Sequence, residues 1–251
     1  MTDSRTLSYI NLYSILGSIP LLCELDENAS ALVKGKKVSI GIAVKNGPSA
    51  TLVFNDGRCE LVEGCDKCDV KLPFSSPEKF NGMIDGTVTP IPSKGFTKIG
   101  FLTGAFIKLT DILSNYLRPE PSALEDDKFF EISTTLMFRL IASAIACIGN
   151  EDKVGKASAS YITDGVVKLA IGDELCHYIV AENHKLTLDD NTDKPMSAYM
   201  RFNDIRLARD LFDGKQNAVA CVGAGKIRIG GMISQVDNIN RILDRVGLYL
   251  A

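Results

Sequence analysis

The stretch GKIRIGGMISQVDNINRIL, Gly225 to Leu243, has an upstream echo in GFTKIGFLTGAFIKLTDIL, Gly95 to Leu113. Ile99-Gly100 and Ile229-Gly230 lie 130 positions apart, and the same offset joins Ile112-Leu113 to Ile242-Leu243. Each copy reads as a short strand that ends at a glycine and gives way to an amphipathic helix. In the later copy Met232, Val236, Ile239, Leu243 and Val246 step by four, three, four and three, the spacing of one helical face. Leu102, Phe106, Leu109 and Leu113 do the same in the earlier copy. The chain is therefore expected to contain one unit twice, each closed by an apolar-faced helix.

A second pair of blocks supports this. LPF…IDG, Leu72 to Gly86, matches MRF…FDG, Met200 to Gly214, at an offset of 128. Leu72 pairs with Met200, Phe74 with Phe202, Ile84 with Phe212 and Gly86 with Gly214. The change of offset falls in the loop after the Asp-Gly, where insertions cost least. Two blocks with a slip only in a loop argue for duplication. Residues 1–118 form unit one and 119–251 unit two, with ProGluPro at 119 to 121 as the linker.

Within unit one, residues 6 to 33 are expected to be helical, with a break near Gly17 to Pro20. A meander of strands follows. Val38, Ile40, Ile42 and Val44 alternate as a half-buried strand does, and turns are expected at NGPS and at Asp56-Gly57. DVKLPF is a further strand, and Ser76-Pro77-Glu78 opens a short helix through Asp85. Unit two opens with a helix over 129 to 148, followed by KASASYI, GVVKLAI, ELCHYIV and HKLTLDD as strands. The opening helix carries Arg139 at its centre and its uninterrupted apolar run is short, so it is expected to be buried and not membrane-spanning.

Composition narrows the classes. Hydrophobic residues make up 45% and charged residues 24%, which suits a globular protein. Net charge is −3 with no dense basic run, so nucleic acid is not an expected partner. Seven scattered cysteines and no secretory signal point to reduced thiols and a cytoplasmic location.

The order of elements resembles the sterol carrier protein type 2 family. Phe80-Asn81-Gly82-Met83-Ile84-Asp85-Gly86 fits that family's F-x-x-[LM]-x-x-G signature, and Gly225-Lys226-Ile227-Arg228-Ile229-Gly230 fits its G-K-[LIV]-x-[LIV]-x-G strand. Ala208, Leu211 and Gly214 answer the first signature without its aromatic, and Gly95-Phe96-Thr97-Lys98-Ile99-Gly100 answers the second with Phe96 in place of the lysine. The resemblance spans nearly the whole chain as a tandem pair, where family members usually carry one such domain. It implies an α+β fold of two units, each a twisted antiparallel sheet covered on one face by helices. It also implies a hydrophobic tunnel that holds sterols, fatty acids, acyl-CoAs or phospholipids without catalysis. The implied lining is Phe74, Phe80, Met83, Phe101, Phe106 and Leu109 in unit one. In unit two it is Phe202, Leu211, Phe212, Met232, Val236 and Ile239. The smoother Met, Val, Ile face makes unit two the better candidate. The alternative is a structural or interaction protein whose tunnels are filled by these same side chains, and the two units could form a pseudo-dimer.

No catalytic constellation emerges, so an enzyme is not expected, and no cofactor or metal is implied. Cys65-Asp66-Lys67-Cys68 is a CxxC without the second knuckle or histidine pair of a zinc site, and it lies in a turn between strands. A plain thiol turn is favoured there, with metal or redox use as the alternative. Gly223-Ala224-Gly225-Lys226 lacks the spacing of a phosphate loop and reads as a turn feeding a strand. His177 on a strand and His184 in a turn are expected to pack or face solvent. The acidic cluster Asp189, Asp190 and Asp193 is expected to be a solvated loop.

Overall fold

The computed structural model describes residues 2–250. The chain divides into two compact units, Met1–Leu136 and Met137–Ala251. The division falls inside the helix Asp127–Glu151 and not at the ProGluPro stretch. Ile132 and Leu136, on the first half of that helix, belong to the first unit's core, which draws the unit past residue 118.

In the first unit a helical stretch runs over Ser4–Leu25. Asp3 starts it by accepting from Thr6 N–H at 2.8 Å. A π turn at Ile10–Ile15 and a 3-10 turn at Leu16–Ser18 interrupt it near the predicted break. Asp26 then caps the helix Glu27–Val33. Four strands follow: β1 Lys37–Val44, β2 Ser49–Asn55, β3 Arg58–Glu63 and β4 Val70–Phe74. Their order is β3-β2-β1-β4. Val38, Ile40, Ile42 and Val44 are buried in one core with Leu12, Ile19, Leu22, Phe80 and Leu109 of the helices.

The second unit repeats this plan. Its strands are β5 Gly165–Ile171, β6 Leu175–Glu182, β7 Lys185–Asp189, β8 Met196–Phe202 and β9 Ile227–Gly231. They stand in the order β7-β6-β5-β8-β9, the first unit's order with one strand added. Short helices Pro77–Ile84 and Ile205–Phe212 follow β4 and β8. The fold is α+β, with two sheets covered by helices.

Three expectations need correction. The sheets are mixed and not purely antiparallel, because β1 pairs with β4, and β5 with β8, in parallel. The chain leaves β3 at one edge and must cross β2 and β1 to reach the opposite edge, and a crossover is what a parallel neighbour requires. Gly41 lets the crossing loop lie close to β1: a Cβ there would meet Cys68 Sγ at 2.6 Å and Cys65 Cβ at 3.0 Å. Second, KASASYI is not a strand. Asp152 accepts from Val154 and Gly155 N–H at 2.9 and 2.8 Å and caps the helix Lys153–Ala159 instead. Third, Gly95–Gly100 forms no strand, and the isolated bridge of Lys71 to Lys94 stops just before it. The segment becomes a 3-10 turn Phe96–Lys98, an α turn Ile99–Phe101 and a π turn Leu102–Phe106, continuous with the helix Ile107–Leu117. Helical spacing of its apolar residues outweighs the two-residue alternation that β9 keeps.

Both units lock their closing helix in the same way. Asp26 accepts from Ala29 N–H at 2.7 Å and from the Tyr116 hydroxyl at 2.8 Å. Asp152, already capping its helix, accepts from the Tyr249 hydroxyl at 2.7 Å and from Arg245 Nη2 at 2.8 Å. A buried helix-capping aspartate thus holds a tyrosine of the last helix in each unit.

Candidate functional site

In the first unit the helical turns that replace the expected strand stand beside the start of β1 and leave a cavity of about 400 Å³. Gly35, Lys36, Lys37 and Val38 line one side, and Thr97, Lys98, Gly100, Phe101 and Ala105 the other. Val38 is buried, and Phe101 and Ala105 are half-buried, which gives the cavity an apolar floor. Lys36, Lys37 and Lys98 are exposed and form a cationic rim. Phe101 is held by Phe54, whose ring centroid lies 5.2 Å away, and Phe106 meets the same ring at 6.3 Å. The volume is within the few hundred Å³ that small-molecule sites occupy.

Phe101 is the residue of the implied lining that this cavity uses. Phe74 and Phe80 face each other at 5.2 Å inside the core. Leu109 is also fully buried, while Met83 and Phe106 are half-buried against that core. Gly35, Lys36, Lys37 and Lys98 carry no pattern that sequence spacing could single out. Their convergence depends on where the turn Phe96–Lys98 lands.

In the second unit Phe138, Phe202 and Phe212 pack together, with centroid separations from 6.1 to 6.4 Å. Val236 and Ile239 are buried, and Leu211 and Phe212 are half-buried. Met232 is 43% exposed, because the closing helix starts one residue later, at Ile233. The buried face of that helix runs through Val236, Ile239, Ile242, Val246 and Tyr249.

His177 packs in the core as expected, and it has a carboxylate partner in Asp190. His177 is 5% exposed on β6, with its ring 5.0 Å from Phe138. Its Nδ1 lies 2.8 Å from Asp190 Oδ1, and Asp190 Oδ2 lies 3.2 Å from Arg139 Nη2. The hydrogen bond from His177, together with the charges of Arg139 and His177, outweighs burial and holds the Asp190 carboxyl below its usual range. Asp190 pairs with a buried histidine while its own side chain stays 46% exposed, and Asp193 is exposed too, in keeping with the solvated loop expected there. His177 Nε2 is buried with no hydrogen-bond partner among the described residues. Their separation in sequence hid this set, since only the β6–β7 pairing brings residue 190 back beside residue 177.

Cys65 and Cys68 are both buried over Gly41, and Cys68 Sγ approaches Cys65 O at 3.6 Å. Lys94 Nζ donates to Cys68 O at 2.7 Å. Cys23, Cys59, Cys65, Cys68, Cys176 and Cys221 are free thiols. Among the described residues no group of three or more His, Cys, Asp or Glu side chains is placed to hold a metal ion. Gly223 to Lys226 forms the expected turn into β9, closed by Lys226 N–H donating to Cys221 O at 2.9 Å. Two helical stretches, Ser4–Leu25 and Asp127–Glu151, are long and apolar enough to cross a membrane by length and composition. Their most apolar windows are 67% and 78% buried within the fold, as core helices are.

No protein-family description matches the chain, and no curated protein is significantly similar to it. Among solved structures, one titled "UbiJ-SCP2 Ubiquinone synthesis protein" is similar to part of it, with 16% identity and a TM-score of 0.34. That match covers 43% of this chain and 88% of the other.

Proposed function

We propose that this chain binds and carries an apolar small molecule of the lipid class, in the manner of a sterol carrier protein type 2 unit, without catalysing a reaction on it. The observation that carries this reading is the cavity of about 400 Å³ over Val38, Phe101 and Ala105. Burying an alkyl chain against such a surface contributes roughly 0.8 kcal/mol per CH₂, so a few methylenes suffice for measurable binding. The seat of binding is the first unit, in contrast to the preference for the second suggested by its smoother helix face. The shared strand order and the paired aspartate–tyrosine locks support descent of the two units from one duplicated ancestor. Free and mostly buried thiols are consistent with a cytoplasmic protein.

Native mass spectrometry of purified protein, followed by lipid extraction, tests this directly. The expected result is a bound apolar molecule that a fluorescent acyl probe displaces, and an Ala105→Trp variant that stays folded and binds neither. Protein that emerges empty and ignores the probe refutes the reading. A second reading, a structural protein with filled tunnels, is favoured for the second unit by its Phe138, Phe202 and Phe212 packing. Probe binding at two molecules per chain would argue against that division of labour.

A further inference from the structure

We infer that the first unit's cavity selects an amphiphile with an anionic head, a carboxylate or phosphate monoester, over a neutral one of the same chain length. This rests on the lipid-binding reading and narrows it to a charge class.

Three exposed lysines, Lys36, Lys37 and Lys98, line one cavity, and the residues that line it include no carboxylate. Among the described residues none of the three makes an ion pair, so their charges are not already spent within the fold. Asp56 stands beside the rim, accepting from Gly35 N–H at 2.9 Å, and its charge offsets one of the three lysines, which leaves the rim net cationic. Thr97 adds a hydroxyl among the lysines. The whole chain has net charge −3, so a cationic mouth runs against its average and concentrates anions locally.

The depth ordering gives the ligand its polarity. Val38 and the half-buried Phe101 and Ala105 lie inward, and the exposed lysines lie outward on both sides. A molecule satisfying both ends has an apolar tail and a head able to accept several charge-assisted hydrogen bonds. A hydroxyl head gains little from three ammonium groups, whereas a carboxylate or phosphate gains from each.

Binding of three fluorescent probes with one chain length, a fatty acid, an alkyl phosphate and a fatty alcohol, tests this on the full chain. At low salt the better of the two anionic probes is expected to bind about tenfold tighter than the alcohol. Its affinity falls as salt is raised, while that of the alcohol holds. A Lys36→Glu, Lys37→Glu, Lys98→Glu variant is expected to lose the anionic preference, its affinity for the better anionic probe falling about tenfold or more relative to the alcohol. The alkyl phosphate leading identifies a phosphate head, and the fatty acid leading identifies a carboxylate head. Equal affinities for all three overturn the charge inference and leave the lipid reading standing. Binding of none overturns both. Circular dichroism and the urea midpoint of the variant separate lost selectivity from lost folding.

Discussion

The two units place a buried aspartate at the same structural point and give it different partners. Asp26 receives one backbone N–H and the Tyr116 hydroxyl. Asp152 receives two backbone N–H groups, the Tyr249 hydroxyl and a close pair from Arg245, whose Nε lies 2.6 Å from Oδ1. The second unit also continues its sheet into β9, where the first turns helical and opens a cavity. More connections and a packed Phe138, Phe202 and Phe212 cluster stand on one side, fewer connections and a cavity beside β1 on the other. The proposed division, with binding in the first unit and a structural role for the second, rests on this contrast.

The largest expected effect probes the aspartates. Asp152→Ala leaves Arg245 half-buried without its carboxylate and removes a cap, and breaking a buried pair in this way costs about 3–5 kcal/mol. Asp26→Ala removes a cap and one hydroxyl partner and costs about 1–2 kcal/mol. Urea denaturation measures both, and equal losses would show that Arg245 adds nothing. Next is Gly41→Ala, whose Cβ collides with the Cys68 sulfur at 2.6 Å and is expected to cost about 1–3 kcal/mol. Adding Cys68→Ala should return part of that loss. If the two changes merely add, the crossing loop is not resting on Gly41.

Acid should separate the units as well. Burial pushes the Asp152 carboxyl up, but Arg245, the Gly155 N–H and Tyr249 overcome it and leave the group below its usual range. Asp213 behaves likewise through Lys215 and Arg209, and Asp190 is lowered first by His177. A carboxyl depressed in the folded state contributes stability above its unfolded value, about pH 4, and loses it as pH falls through the folded value. The second unit holds all three groups, against Asp3 at the first helix start and the exposed Glu78 in the first unit. Hydrogen exchange followed from pH 5 downward should therefore show its amides losing protection before those of β1 and β2. Simultaneous loss would mean that these carboxylates do not set the order. The smallest effect belongs to Tyr116→Phe, about 0.5–1.5 kcal/mol from one hydrogen bond. In the parent protein, burial and the bond to Asp26 raise the Tyr116 phenol above the ordinary tyrosine range, so its ultraviolet titration should lag the exposed tyrosines.

Much of the plan was legible because it rests on local periodicity. The alternation from Val38 to Val44, the Ser76-Pro77 helix start and the face through Val236, Ile239 and Val246 are each set by neighbours a few residues away. The parallel pairings were not, because strand direction after β3 depends on a loop crossing the sheet over Gly41. The failed strand at Gly95 to Gly100 is instructive in another way. The repeat predicted β9's twin there, but a helix was the shorter route to burying Phe101 and Phe106 against Phe54. The site followed from that local change, and three lysines without any motif became its rim.

The aspartate–tyrosine locks also bear on the order in which the chain completes itself during synthesis. Asp26 waits 90 residues for Tyr116, and Asp152 waits 97 for Tyr249. Until the tyrosine arrives, neither lock can close. Tyr116 is made before Asp152, however, so the first unit can close around its cavity while the second has yet to leave the ribosome.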